Sequence, residues 1–178
     1  MLDTISIRSW TENDWVAFRA IRLEALKHTE HVFGVSYDHA LNLSEEYWTD
    51  TLQDTYNGAV FGLYDGENVI GLTAVFRHRD HKSDTVIFAM SYIRKNYRGR
   101  GLSDLLYKAR LDWAEQQEGI VSIWIGHRDG NQASFRANQR HGFQLISTED
   151  MTFGDGTTDK HYTYELKINK NKQDAYHA

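Results

Sequence analysis

The chain has no cysteine, which excludes a disulfide framework, a thiolate metal site and covalent cysteine catalysis. It also has no apolar run near the roughly 20 residues that a membrane helix needs. The first residues, Met1-Leu2-Asp3-Thr4-Ile5, lack the basic start and apolar stretch of a secretory signal, so a cytoplasmic protein is expected. Positive charge is in deficit as well. A formal net charge of −5 argues against a nucleic-acid partner, because phosphate contacts need a basic surface. No internal repeat, low-complexity linker or shift in composition marks a second domain. What is present is ordinary globular material: 178 residues, 40% hydrophobic and 25% charged, with 5 Trp, 10 Tyr and 8 Phe to fill one core. One domain over residues 1–168 is expected, followed by a frayed, polar tail at 169–178.

The order of elements is mixed. Ile5–Arg8 reads as a first strand. Thr11 resembles a helix N-cap, with Asp14 three residues on and an apolar stripe of Trp15, Phe18, Ile21 and Ala25. Residues 28–43 are irregular, and Ser44 with Glu45 and Glu46 opens a second short helix carrying Trp48 and Leu52. Ala59–Tyr64 and Val69–Phe76 form a hairpin around Asp65-Gly66-Glu67-Asn68. Thr85–Ile93 is a further strand. Leu102, Leu105, Leu106, Ala109 and Trp113 then recur at helical spacing, ending near Gly119. Ser122–Ile125, a helix over 133–140 that stops near Gly142, and strands over 143–153 and 162–168 complete an antiparallel meander with a strand–helix–strand unit behind it.

Against the acidic background, Arg94, Lys95, Arg98 and Arg100 concentrate positive charge around Gly99 and Gly101, between a strand and a helix. A helix start carries unpaired N–H groups and the positive end of the dipole, so a diphosphate can sit there. The glycines allow close approach and a tight anion-holding turn, and the arginines add charge at the rim. A dinucleotide fingerprint would need glycine at Asp104, and a P-loop would need Gly-Lys-Ser/Thr where Gly101-Leu102 stands; neither is met. His78 and His81 have a His-x-x-His spacing beside Asp80 but no convincing further ligand, so no metal is expected.

The run Arg98-Gly99-Arg100-Gly101-Leu102-Ser103, with Asn131-Gln132-Ala133-Ser134 leading through Asn138 to Gly142-Phe143 about thirty residues on, resembles the GNAT superfamily of N-acetyltransferases over nearly the whole chain. The resemblance implies an α/β fold with about seven strands, mostly antiparallel, about four helices and a splayed strand pair at the cofactor cleft. It implies acetyl-CoA as co-substrate. Main-chain groups of Tyr92 and Ile93 would pair with the pantetheine arm, Arg98, Gly99, Arg100, Gly101, Leu102 and Ser103 would hold the pyrophosphate, and Asn131, Ser134 and Asn138 would line the other side. Asn131 equally suits a helix cap.

The reaction so implied is direct attack of a primary amine of a small molecule or peptide on the thioester. A lysine-like amine is about one part in a thousand neutral at pH 7, so a base is useful, with a donor for the oxyanion and an acid for the leaving thiolate. The family's usual Tyr acid and Glu base correspond here to Asn138 and Ile87. Tyr92 and His127 are the titratable substitutes nearest the loop and the next strand end, and the N–H near Tyr92 or Ile93 is a candidate oxyanion donor. The acceptor walls implied are residues 28–48 and 153–162, aromatic and acidic, with Asp155 and Asp159 among them. Two other classes stay open: a non-catalytic acyl-CoA sensor, favoured by the missing acid and base, and a nucleic-acid module using the arginine cluster. Pairing into a homodimer is compatible with the resemblance, though no interface can be read from the sequence.

Overall fold

A computed structural model describes residues 4–55, 57–78 and 84–168. His81 and Asp80 of the His-x-x-His segment, and the tail at 169–178, lie outside the described residues.

Seven strands form one sheet in the order β1-β2-β3-β4-β5-β7-β6. β1 (Ile5–Ser9), β2 (Gly58–Asp65), β3 (Asn68–Arg77) and β4 (Thr85–Ile93) make the antiparallel meander. The β2–β3 turn places Gly66 at φ 58°, the left-handed conformation that a two-residue hairpin turn demands. β4 then crosses through α4 (Ser103–Gln116) to lie parallel to β5 (Ser122–Arg128), and β7 (Thr158–Lys167) and β6 (Gln144–Thr152) close the far side. Five α-helices flank the sheet, one more than the resemblance implies. The addition is α2 (Tyr37–Leu41), inside the segment expected to be irregular. Its N-cap is Ser36, whose Oγ accepts from the His39 N–H. A cap followed by a single helical turn leaves too short a periodicity to detect in sequence.

α1 (Trp15–Thr29) and α3 (Glu45–Gln53) cover one face, where Phe18, Ile21, Trp48 and Leu52 pack on Val60, Leu72 and Ala74. α4 and α5 (Gln132–Arg140) cover the other, where Tyr107, Ala114 and Ala137 pack on Val86, Phe88, Ile123 and Ile125. Thr11 and Asp14 do mark the entry to α1, but through a short 3-10 turn at Glu12–Asp14, with the Asp14 carboxylate accepting from the Thr11 N–H at 2.9 Å.

Two irregularities in β4 shape what lies above it. The first is a bulge. Ala89 opposes Ala74 and Tyr92 opposes Leu72, so Met90 and Ser91 together face Thr73. Met90 has φ 57°, a conformation that costs a side-chain-bearing residue about 1–2 kcal/mol. The extra residue reverses the side-chain alternation: Val86 and Phe88 face α4 and α5, whereas Met90 and Tyr92 join the cluster under α1. The second is the end of the parallel ladder. β4 pairs with β5 from Thr85–Ser122 to Phe88–Ile125 and no further, although both strands continue. Above Phe88 the two strands part.

Candidate functional site

The loop after β4 leads into α4 through Gly99 at φ 75° and Gly101 at φ 76°, and a Cβ built on either meets nothing within 4 Å. The glycines are therefore required by backbone conformation, and the space beside them is open. Among the described residues, the N–H groups of residues 99–103 find no backbone acceptor. These are the unpaired donors that a helix start presents to an anion. Leu102 itself is buried, packed with Leu106, Leu63 and Ile70, and pins the loop to the sheet. Arg98 donates from Nε to the Ile93 carbonyl at 2.7 Å, and Arg100 from Nη2 to the Asn96 carbonyl at 2.9 Å. Both guanidinium groups are thereby fixed at the loop's rim. The Ile93 carbonyl is occupied by this contact, and Tyr92 pairs with Leu72 with its carbonyl turned toward Gly71 of β3, so the Ile93 N–H is the main-chain group left facing the gap.

On the far side of the gap, Asn131 caps α5, its Oδ1 accepting from the Ser134 N–H at 3.1 Å. The capping role open in the sequence is real, and the amide nitrogen of Asn131 is not used by it. Asn138 is wholly buried, with Oδ1 accepting from the Tyr107 hydroxyl at 2.6 Å. It lies inside the wedge between α4 and α5, without solvent contact.

The two titratable candidates are not brought together. Tyr92 packs with Phe18, Ile21 and Trp48 on the α1 face, while His127 contacts the Phe135 ring of α5 on the opposite face. His127 Nδ1 stands 2.8 Å from the Arg128 carbonyl, so it must donate there, and Nε2 is 3.2 Å from the Tyr164 hydroxyl. Tyr92 borders a cavity of about 430 Å³, lined also by Glu24, His28, Thr29 and the turn from Arg94 to Arg98. Its hydroxyl donates to Glu24 at 3.1 Å, and Arg94 grips the same carboxylate through Nε at 2.8 Å and Nη2 at 2.7 Å. Burial, then the Glu24 charge, pushes the Tyr92 phenol above its ordinary value, so it keeps its proton at neutral pH. Glu24 is seventy positions from Arg94, and no local pattern in α1 signals it.

The Arg94 hydrogen bonds hold the Glu24 carboxyl below the ordinary glutamate range of about 4.5. A carboxylate depressed in the folded state adds stability above the unfolded value and loses it as the pH falls through the folded one. Glu24→Gln is therefore expected to cost roughly 1 kcal/mol at pH 7, after allowance for its partial exposure, with the gap from the parent closing in acid below pH 4. Melting curves of both proteins at pH 7 and pH 3 check this.

The acceptor walls named from the sequence do meet. Arg128, at the end of β5, donates to the His31 carbonyl and to Asp155 at 2.9 Å each, to Asp159 at 3.0 Å and to Thr157 Oγ1 at 2.7 Å. The Gly154 N–H donates to the Phe33 carbonyl at 2.7 Å, and a Cβ on Gly154 would stand 2.5 Å from the Val35 carbonyl oxygen. The β6–β7 turn is thus seated against the segment between α1 and α2. Asp155, held down at about 2 by Thr157 and Arg128, and Asp159 both pair with this arginine, which ties the β6–β7 turn to the end of β5. Among the described residues, no group of three or more His, Cys, Asp or Glu side chains is placed to hold a metal ion, and no helix is long and apolar enough to cross a membrane.

Comparison with known proteins agrees with this architecture. The sequence model of the acetyltransferase (GNAT) family matches residues 15–143. A GNAT-family acetyltransferase from Streptococcus pneumoniae superposes with a TM-score of 0.80 at 18% identity, covering 92% of this chain and 99% of its own. YncA from Salmonella typhimurium, solved with its cofactor acetyl-CoA, has a TM-score of 0.76 at 19% identity, with 94% and 95% covered. RimL, a ribosomal L7/L12 alpha-N-protein acetyltransferase in complex with coenzyme A, has a TM-score of 0.74 at 15% identity, with 94% and 96% covered. A comparison with curated proteins finds no match.

Proposed function

The chain belongs to the acetyltransferase (GNAT) family, and from that premise we propose that it moves the acetyl group of acetyl-CoA to a primary amine of a small molecule or peptide, by direct attack in a ternary complex. The observation that carries the reading is the pairing of an anion-binding loop, its N–H groups at 99–103 unspent, with a gap between β4 and β5 that opens immediately beside it. Residues 98–103 would hold the pyrophosphate. The main chain of Ile93, with Asn131 and Ser134 across the gap, would hold the arm. Acetyl-CoA supplies an acyl group already activated as a thioester, so the chain has to bind, orient and manage protons. Attack forms the C–N bond and breaks the C–S bond; the nitrogen loses a proton and the sulfur gains one.

The cavity beside Tyr92 is the acceptor pocket in this reading. Tyr92 orients there through Glu24, and the main-chain N–H of Ile93, which faces the gap, is the oxyanion donor. His127, held by the Arg128 carbonyl and Tyr164 on the other face, acts as a support of the β5 end or reaches the site only through water.

Acetyl-CoA and free CoA are expected to raise the melting temperature, and an oligonucleotide is expected to leave it unchanged. Thiol release over a panel of polyamines, amino sugars, amino acids and peptides then identifies the acceptor. A protein stabilised by CoA that releases no thiol above hydrolysis with any amine would instead be an acyl-CoA sensor.

A further inference from the structure

Six buried side-chain nitrogen atoms have no hydrogen-bond partner among the described residues, and three of the six are Nη1 and Nη2 of Arg110 and Nδ2 of Asn138. These three belong to one cluster. The Arg110 guanidinium lies 4.3 Å from the ring centroid of Phe88 and 4.8 Å from that of Tyr107. The Tyr107 hydroxyl donates to Asn138, and His141 stacks on the Tyr107 ring at 4.0 Å with the planes 6° apart. Phe88 is the residue at which the β4–β5 ladder ends, so the cluster lies beneath the point where the strands part, on the α4–α5 face.

Its chemistry is lopsided. Arginine and an amide NH₂ bring several donors, while only the Asn138 oxygen and the phenolic oxygen can accept. Turning the Asn138 amide over does not cure this: Nδ2 then donates to Tyr107, and the phenolic proton is left without an acceptor. Arg110 spends Nε on the Leu106 carbonyl at 3.0 Å, and donors left in excess, fixed in a dry place, suit an atom on which negative charge develops. Arg110 and Asn138 are sealed from solvent, and Tyr107 keeps 5% exposure, so Tyr107 is the member able to meet a reacting group.

We propose that Tyr107 is the catalytic acid that protonates the leaving sulfur, with Asn138 and Arg110 as its positioning residues, an inference that rests on the acetyl-transfer reading above. As the C–S bond breaks, the phenolic proton passes to sulfur. The proton released by the newly acylated nitrogen returns through water to the Tyr107 oxygen, which balances the cycle. Asn138, standing where the family resemblance would put the phenol itself, accepts from the Tyr107 hydroxyl from the neighbouring helix. Burial raises the Tyr107 pKa, which keeps it protonated at neutral pH, and the charges of Arg110 and Arg140 pull the other way while Asp104 adds to the rise. His141 and Asn138 complete the polar groups packed on it.

The test compares the parent protein with Tyr107→Phe, which keeps the ring and its stacking on His141. With the acceptor found in the panel, kcat is expected to fall about 10²–10³-fold. The Kd for acetyl-CoA by calorimetry should stay within about threefold, and the alkaline limb of the kcat–pH profile should disappear. Should the phenylalanine variant not fold, 3-fluorotyrosine placed at 107 should move that limb to lower pH. A kcat within about threefold of the parent with the limb retained, or a limb that the fluorinated residue does not move, overturns the proposal. A parent protein that releases no thiol with any amine overturns the acetyl-transfer reading instead, so the two failures are distinct.

Discussion

Gly101→Val is expected to weaken acetyl-CoA binding about 100-fold or more while leaving the fold intact. Two effects combine at this position. The backbone stands at φ 76°, where a β-branched residue is a steric outlier costing about 1–2 kcal/mol, so the loop either bears that strain or relaxes. Either response disturbs the N–H groups of residues 99–103. Charge-assisted hydrogen bonds contribute about 1.5–3 kcal/mol each, and losing one or two is worth about two decades of affinity. The new side chain also enters the open space beside the loop. Gly66→Val is the control. It has the same sign of φ, at 58°, and the same open surroundings, but it sits on the β2–β3 turn. Both variants should lose similar thermal stability, and calorimetric titration with acetyl-CoA should separate them. If Gly101→Val binds as tightly as the parent, the pyrophosphate assignment of this loop is wrong.

Arg110→Met is expected to make the protein more stable and less active. Arg110 is 0% exposed, and burial draws its pKa down from the ordinary arginine range to about 10. A base depressed in the folded state is destabilising at every pH below the folded value, and the penalty is relieved only as the pH rises above about 10 toward the ordinary arginine range. At pH 7 that drop corresponds to about 3 kcal/mol. Against it stand the stacking on Phe88 and Tyr107, worth about 0.5–2 kcal/mol, and the Nε donation to the Leu106 carbonyl at 3.0 Å. Methionine fills similar volume without a charge, so a net gain of about 1–2 kcal/mol follows, or roughly 2–8 °C in melting temperature. Urea titration and thermal melts at pH 7 measure the gain, and thiol release measures the loss. A lower melting temperature would mean that the guanidinium has a stabilising partner.

These two residues differ in how far the sequence exposes them. Gly99 and Gly101 between a strand and a helix, with arginines interleaved, state their chemistry locally, because backbone conformation and helix-start donors depend on neighbours in the chain. The hairpin at Asp65–Asn68, the caps at Ser44 and Asn131, and the strand–helix–strand order were legible for the same reason. α2 was not, since five residues carry less than two helical turns.

Arg110 and Tyr107 were hidden by a rule that usually works. The apolar stripe of α4 reads as Leu102, Leu105, Leu106, Ala109 and Trp113, yet the helix buries Leu106, Tyr107, Arg110 and Ala114. Sheet and helix meet on a face rotated by part of a turn, which takes in a phenol and a cation that a hydrophobicity pattern assigns to solvent. The bulge at Met90 works in the same way, sending Tyr92 to the face opposite Phe88 and so apart from His127. By itself the sequence determined the loop: short-range conformational demands put Gly99 and Gly101 at positive φ, beside N–H groups without backbone acceptors at a helix start. Tertiary structure alone decided which polar side chains meet, because Glu24 with Arg94, and Tyr107 with Asn138, are brought together by packing between elements 70 and 31 positions apart in the chain.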